Sequence, residues 1–248
     1  MVIDCIIPAR GGSKGIHNKN IKMLGGHPLI AYSIIAANLS KNIRKTIVTT
    51  DSQEIANIAI KYGAEVPYLR PGALAEDSSI DLEFFHYHVQ FLEKNKLIVP
   101  ELLVHLRPTT PLRFVKVIDN AINRMKKDKQ ATSLRSAHLT HLTPYKIFKK
   151  DQKYMRPFLK SDLAKEFYNL PRQAFEDAYI PNGYIDIVKT SIFKNSDILH
   201  GENIYLYETD KTIDIDIIED FYFAEQVLKS EKFDEILNNL NIFNKSYL

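Results

Sequence analysis

The sequence predicts an α/β fold, a mainly parallel twisted sheet with helices on both faces and a smaller extension inserted late in the chain. Three observations carry this. Short apolar, β-branched runs recur along the first half, each followed by a stretch with helical spacing. Gly, Pro and Asp-Ser clusters separate these runs where turns are needed. One aperiodic segment, from about His138 to Ile180, interrupts the rhythm before strand-like runs resume.

Val2 to Ile7 reads as a buried strand ended by Pro8 and the glycines after it. In HPLIAYSIIAANLS, Pro28 suits a first helical turn, and Ile30, Ile34 and Ala37 share a face. KTIVTT is a β-branched strand; Asp51 with Glu54 three residues on fits a helix cap, and Gly63 is the stop. AEVPYL is a weaker strand. Ser78 and Asp81 can cap a helix through DLEFFHYHVQFLEK, ELLVHL is the next strand, and RPTTPLR is a loop. Val115, Ile118, Ile122 and Met125 stripe another helix, and ATSLRS closes the series. The irregular 138–180 segment is too long for an idle loop and acts as a lid or packs on something else. GYIDIVK, IYLYE and TIDIDI then read as strands, with a helix through DFYFAEQVLK.

Composition narrows the function. At 248 residues, 45% hydrophobic and 25% charged, the chain can bury a sizeable core. A formal charge of +3 argues against a dedicated nucleic-acid binder. No apolar run approaches the roughly 20 residues that span a bilayer, and no signal-peptide pattern is present. The single cysteine, Cys5, lies in the first apolar run and reads as a reduced, buried thiol. The expectation is a cytoplasmic protein with no membrane partner.

PARGGSKG, directly after the first strand, is where a parallel sheet gathers ligands. Glycines permit positive φ and let backbone N–H groups face an anion, and Arg10 and Lys14 add charge. Lys19 and Lys22 follow closely, and unpaired cations so near each other repel. The loop is neither a Walker A motif nor a G-x-G-x-x-G fingerprint. Near the other end, an extended TIDIDI would turn Asp214 and Asp216 to one face, about 7 Å apart along the chain. That pair is either a Mg²⁺ site bridging phosphate oxygens or the wet face of an amphipathic strand.

IPARGGSKGIHNKNI resembles the opening signature of the CMP-sialic acid synthetases (acylneuraminate cytidylyltransferases), and TTDSQEIANIAIKYGAEV, LRPGALAEDSS, LRPTTPLR, LPRQAFEDAYIPNGYIDI and TIDIDIIED continue the match in order. The resemblance implies a Rossmann-like nucleotidyltransferase fold that joins CTP to the anomeric hydroxyl of a nine-carbon sugar acid and releases pyrophosphate. It implies a nucleotide site of Arg10, Gly11, Gly12, Ser13, Lys14, Lys19, Asn20, Arg70, Ser78 and Ser79, with Arg10, Lys14 and Asp216 in the chemistry. Asp214 and Asp216 would hold Mg²⁺, or one of them would serve as base. Arg107, Lys146, Arg172, Gln173 and Asn182 match positions near the sugar. Sialic-acid members commonly have Gln where this chain has Arg107, which would add a fixed cation there. The resemblance also implies a homodimer, with residues 1–137 and 181–248 forming the core and 138–180 a dimerisation extension reaching the neighbouring site.

Other readings keep a place. A same-fold enzyme for 3-deoxy-manno-octulosonate and a catalytically silent nucleotide-binding domain are the alternatives. Arg172 can instead pair with Glu176, and Arg113 can cap a helix or fix its loop. The eight histidines show no zinc spacing, and FYFAEQVL reads as a packing helix.

Overall fold

The computed structural model describes residues 1–12, 14–194 and 197–246. In chain order, β1 (Ile3–Pro8) is followed by the two-residue strands β2 (Met23–Leu24) and β3 (His27–Pro28), then α1 (Leu29–Asn38), β4 (Lys45–Thr49) and α2 (Gln53–Lys61). Next come α3 (Asp81–Lys94), β5 (Leu102–His105), α4 (Val115–Lys127) and β6 (Ser133–Thr140). The hairpin β7 (Phe148–Asp151) and β8 (Tyr154–Pro157) precedes β9 (Ala178–Lys189), β10 (Ile204–Glu208), α5 (Ile218–Val227) and α6 (Asp234–Ser246).

Six strands form the central sheet in the order β10-β6-β9-β5-β1-β4. β1 is parallel to β4 and β5, and β10 is parallel to β6; β9 alone runs antiparallel, wedged between β5 and β6. Period-2 alternation sorts the side chains into two cores. Ile3, Cys5 and Ile7 join Leu102, Val104, Ile185 and Ile187 under α1, α2, α4, α5 and α6. Ile6, Leu103 and Val188 face the other way, onto Phe84, Phe85 and Val89 of α3 and Phe193. Helices thus cover both faces, but unevenly. Burial pushes the Cys5 thiol up, as an inert core residue requires.

Several local expectations change. α1 has no single apolar face: every residue from Leu29 to Ala37 is buried, because it lies within the larger core. Ser52, not Asp51, caps α2, accepting from the Ile55 N–H at 3.3 Å. Ile80 occupies the cap position of α3, with no side-chain cap bond from Ser78 or Asp81. AEVPYL makes only isolated bridges, Ile47 to Glu65 and Thr50 to Leu69. TIDIDI is not a strand. With no neighbouring strand to pair, it crosses the loops at the strand ends, buries Ile215 and leaves Ile217 exposed. The aperiodic segment between β6 and β9 packs Tyr145, Phe148, Phe167, Tyr168 and Phe175 into an aromatic cluster beside its hairpin.

Candidate active site

Loops leaving β1 and β5, the turn at residues 71–80 and the segment 214–217 enclose a cavity of about 470 Å³ beyond the carboxyl ends of the strands. Arg10, Lys14, Lys19, Asn20, Arg70, Ser79, Arg107 and Asp216 line it, so residues from both chain ends share one space. A wider, more apolar groove of about 1030 Å³ beside Tyr207 and Phe233 contains none of the expected site residues.

Close approach, not positive φ, explains two of the loop's glycines. A Cβ on Gly15 would lie 2.4 Å from the Asp216 carbonyl oxygen, and one on Gly11 would lie 3.3 Å from Ser52 Cβ. The Asn20 amide, buried beneath, donates to the Arg10 carbonyl at 2.9 Å and fixes the loop's bend. Lys19 Nζ donates to the Ile215 carbonyl at 2.7 Å and stands 3.3 Å from Asp216 Oδ1. Ile215 in turn donates its N–H to the Thr109 carbonyl at 2.8 Å, fastening the acidic segment to the β5 loop.

Two carboxylates partner the loop after β1: Asp77, which had no assigned role, and Asp51, which was expected to cap a helix. Asp77 accepts from Arg10 Nη2 at 2.8 Å and from Lys14 Nζ. The hydrogen bond from Lys14, with the charge of both cations, holds its carboxyl below the usual range. Asp51 accepts the Gly11 N–H at 2.9 Å. Arg70 is buried with its Nε unpartnered, 5.7 Å from the Phe84 ring centroid, and burial lowers its basicity.

Arg107 bridges Asp186 of β9 and Asp81 of α3, so the expected extra cation is already paired. Arg113 is buried and fixes its loop, as one of its two expected roles had it. Its guanidinium donates to the Tyr184, Gly183 and Arg107 carbonyls and to Ser33 Oγ. Burial lowers its pKa to about 10.

Other expected residues are not brought into this cavity. Gly11, Gly12 and Ser78 sit on its flanking turns without lining it, Asp214 is exposed outside the lining set, and Ser13 lies outside the described residues. Asn182 is consumed structurally: its amide donates to Thr209 Oγ1 at 2.7 Å and accepts from the Tyr184 N–H at 3.2 Å. Lys146, Arg172 and Gln173 belong to the segment between β6 and β9 and lie outside the cavity. Arg172 pairs with Asp177 rather than Glu176, because a single 3-10 turn, not a helix, forms there; it also meets His141 Nδ1 at 3.0 Å. Asp186 had a legible signal, since an acid within an apolar alternation needs a partner; Asp77 had none, because its cations lie far away in sequence.

A family model described as cytidylyltransferase matches residues 5–233, nearly the whole of the sheet and the site just described. The chain belongs to the cytidylyltransferase family. As a member it is a CTP-dependent nucleotidyltransferase. Relatives include "Post-translational flagellin modification protein B" of Campylobacter coli, 32% identical over 92% of this chain and 95% of that one. A "CMP-N,N'-diacetyllegionaminic acid synthase" of Campylobacter jejuni is 34% identical over 89% of this chain and 92% of its own length. The "N-acylneuraminate cytidylyltransferase" of Escherichia coli is 33% identical over 98% of this chain but only 56% of its own length. Among solved structures, a CMP-2-keto-3-deoxy-manno-octonic acid synthetase complexed with CTP superposes with a TM-score of 0.67 at 15% identity, covering 92% of this chain and 98% of that one. A 4-diphosphocytidyl-2C-methyl-D-erythritol synthase gives 0.64 at 10% identity, covering 92% and 100%. At these identities the cytidylyltransferase shares their fold. Among the described residues, no helix is long and apolar enough to cross a membrane.

Proposed function

We propose that this cytidylyltransferase moves CMP from CTP to the anomeric hydroxyl of a nonulosonic acid, releasing pyrophosphate, as a cytoplasmic homodimer that uses Mg²⁺. One observation carries the reading: four cations, Arg10, Lys14, Lys19 and Arg70, share a cavity with Asp216 at the carboxyl ends of the strands. Relatives named for legionaminic, pseudaminic and N-acylneuraminic acids support the acceptor class.

In this reading Arg10 and Lys14 release Asp77 and grip the triphosphate, stabilising charge as pyrophosphate departs. Buried Arg70 and Asn20 frame the nucleoside side, and Ser79 borders it. Mg²⁺ takes one or two carboxylates and completes its shell with phosphate oxygens and water. Asp216 lines the cavity with its side chain 73% exposed and can offer one carboxylate, while Asp214 lies outside the lining, so phosphate oxygens and water would have to supply the rest of the shell. When bound there, the ion supplies Lewis-acid polarisation of the phosphate. Asp216, the acid of the doublet that lines the cavity, would take the acceptor's hydroxyl proton where it does not hold the ion.

The exposed apolar side chains Leu142, Met155, Phe158 and Leu163 of the 138–180 extension suit a subunit interface. Through it, one subunit's Arg172, Gln173 and Lys146 would reach the other's cavity, the arginine and lysine supplying cations for the acid's carboxylate and the glutamine an amide donor. A pyrophosphate-release assay with CTP, Mg²⁺ and a panel of sialic, legionaminic, pseudaminic and octulosonic acids tests the proposal. Release is expected with one or more nonulosonic acids and not with the octulosonate. Release with the octulosonate alone, or with no acid, overturns it.

A further inference from the structure

Arg107 carries an arrangement that its sequence position did not foretell. Its Nη1 donates to Asp186 Oδ2 at 2.7 Å, and its Nη2 donates to Asp81 Oδ2 at 2.8 Å. Asp186 is buried on β9 and also accepts from Arg135 Nε at 3.4 Å. Two arginines and two carboxylates leave this wall without net charge. Burial opposes the charge on Arg107, but Asp186 and Asp81 outweigh it and raise its basicity. His105, with Nδ1 4.0 Å from Asp81, is driven well below its usual range by burial and by Arg107, so it adds no charge.

This pattern argues against one role and for another. Arginine reads a carboxylate by offering it two parallel N–H groups. Here both terminal nitrogens already serve carboxylates, and an incoming anion would meet Asp81, whose side chain is 38% exposed. Yet a guanidinium has five N–H donors and no acceptor, and the two ion pairs occupy two of them. What Arg107 brings to the cavity is therefore a rigid donor set within a neutral wall. Its complement is an uncharged hydrogen-bond acceptor, such as the carbonyl oxygen of an acylamino group.

We infer that Arg107, clamped by Asp81 and Asp186, determines specificity by reading an acylamino carbonyl of the acceptor sugar rather than its carboxylate. Asp81 and Asp186 are positioning residues in this scheme. The inference rests on the proposed acceptor class, which the same assay tests separately.

The experiment compares two acceptors in steady-state pyrophosphate release by the full chain: a nonulosonic acid bearing acetamido groups, and its analogue with hydroxyls in their place. The unsubstituted enzyme should favour the acylated acid by about tenfold or more in kcat/KM. Arg107→Lys should reduce that preference to within about twofold while leaving the KM for CTP unchanged, because an ammonium cannot reproduce the fork. Asp81→Asn keeps an oxygen acceptor for Arg107 but removes a charge, so the ratio between the two acids should persist. The inference is overturned if Arg107→Lys weakens both acids equally, or if Asp81→Asn lowers the KM of both about tenfold. Either result would mean that Arg107 meets the carboxylate. If the unsubstituted enzyme releases pyrophosphate with no acid, the acceptor assignment itself falls and takes this inference with it. An intact acceptor assignment with no acyl preference refutes only the role of Arg107.

Discussion

The Lys19 ammonium stands 3.3 Å from the Asp216 carboxylate and donates at 2.7 Å to the carbonyl of Ile215, its neighbour. One short contact thus ties the strand β1 loop to a segment near the far end of the chain. Lys19 has two duties, holding that segment and placing a cation in the cavity. We predict that Lys19→Met lowers unfolding stability by about 1–3 kcal/mol in urea titrations, with a fall in kcat of at least about tenfold. Asp216→Asn retains the Lys19–Ile215 bond, so stability should hold within about 0.5 kcal/mol while the Mg²⁺ titration of activity shifts. An unchanged metal titration would place Asp216 outside the chemistry.

If Arg10 and Lys14 grip the nucleotide as proposed, Asp77 competes with it for both cations. Removing its charge should make both cations easier to recruit. Asp77→Asn is predicted to lower the KM for CTP by about two- to fivefold and to strengthen inhibition by pyrophosphate. A rise in the KM for CTP would show that Asp77 helps bind the nucleotide instead.

Arg113 is the site's buried strut. Lysine preserves its charge but cannot reach three carbonyls and a hydroxyl together. Arg113→Lys should cost about 2–4 kcal/mol in urea unfolding, leaving buried acceptors unpaired. It should also raise the acceptor KM more than the CTP KM, because one of those carbonyls belongs to Arg107.

His88 predicts a pH dependence of stability. Burial lowers its pKa from 6.5 to about 4, so the folded form keeps it neutral where the unfolded chain takes up a proton. A lowered native pKa means stability is fully present above pH 6.5 and declines as pH falls toward 4. The loss from this group amounts to about 3 kcal/mol across that window. His88→Gln, which retains a hydrogen-bonding partner for the Tyr68 hydroxyl, should flatten urea midpoints measured from pH 6.5 to 4.

Arg172 tests subunit exchange. Alone, Arg172→Ala should raise the KM for the acid far more than for CTP. If the extension serves the neighbouring subunit, mixing Arg172→Ala with Lys14→Ala under exchange conditions should restore about a quarter of normal activity, since one site in each mixed dimer is intact. No recovery would return Arg172 to its own chain.

Much of the sheet was legible because period-2 alternation and β-branched runs are local signals: Ile3–Pro8, Lys45–Thr49 and Leu102–His105 each announce themselves. The direction of β9 was not, since the side chains of GYIDIVK alternate alike whichever way the strand runs. TIDIDI shows the opposite failure, an alternating pattern that bonds to a loop carbonyl instead of to a strand. The basic glycine loop was readable from Arg10, Lys14 and its glycines. Asp186 showed only that it needed a partner, and the partners of Asp51, Asp77 and Asp186 were not readable, because each meets its cation or N–H only through folding. Asn182 and Arg113 illustrate the same limit. Whether a polar side chain faces a ligand or braces a turn depends on neighbours about 70 residues away or closer by.

The reversed strand β9 separates β5 from β6, so these two are not neighbours in the finished sheet. During synthesis, the part of the sheet built from the first 140 residues must wait for its central filler before the halves can join. Until then β5 and β6 each present a bare edge to whatever else is nearby. Such late, non-local closure slows folding and favours early capture by a chaperone or by a second nascent chain. A messenger cut short before codon 189 should therefore yield aggregating product, not a smaller working enzyme.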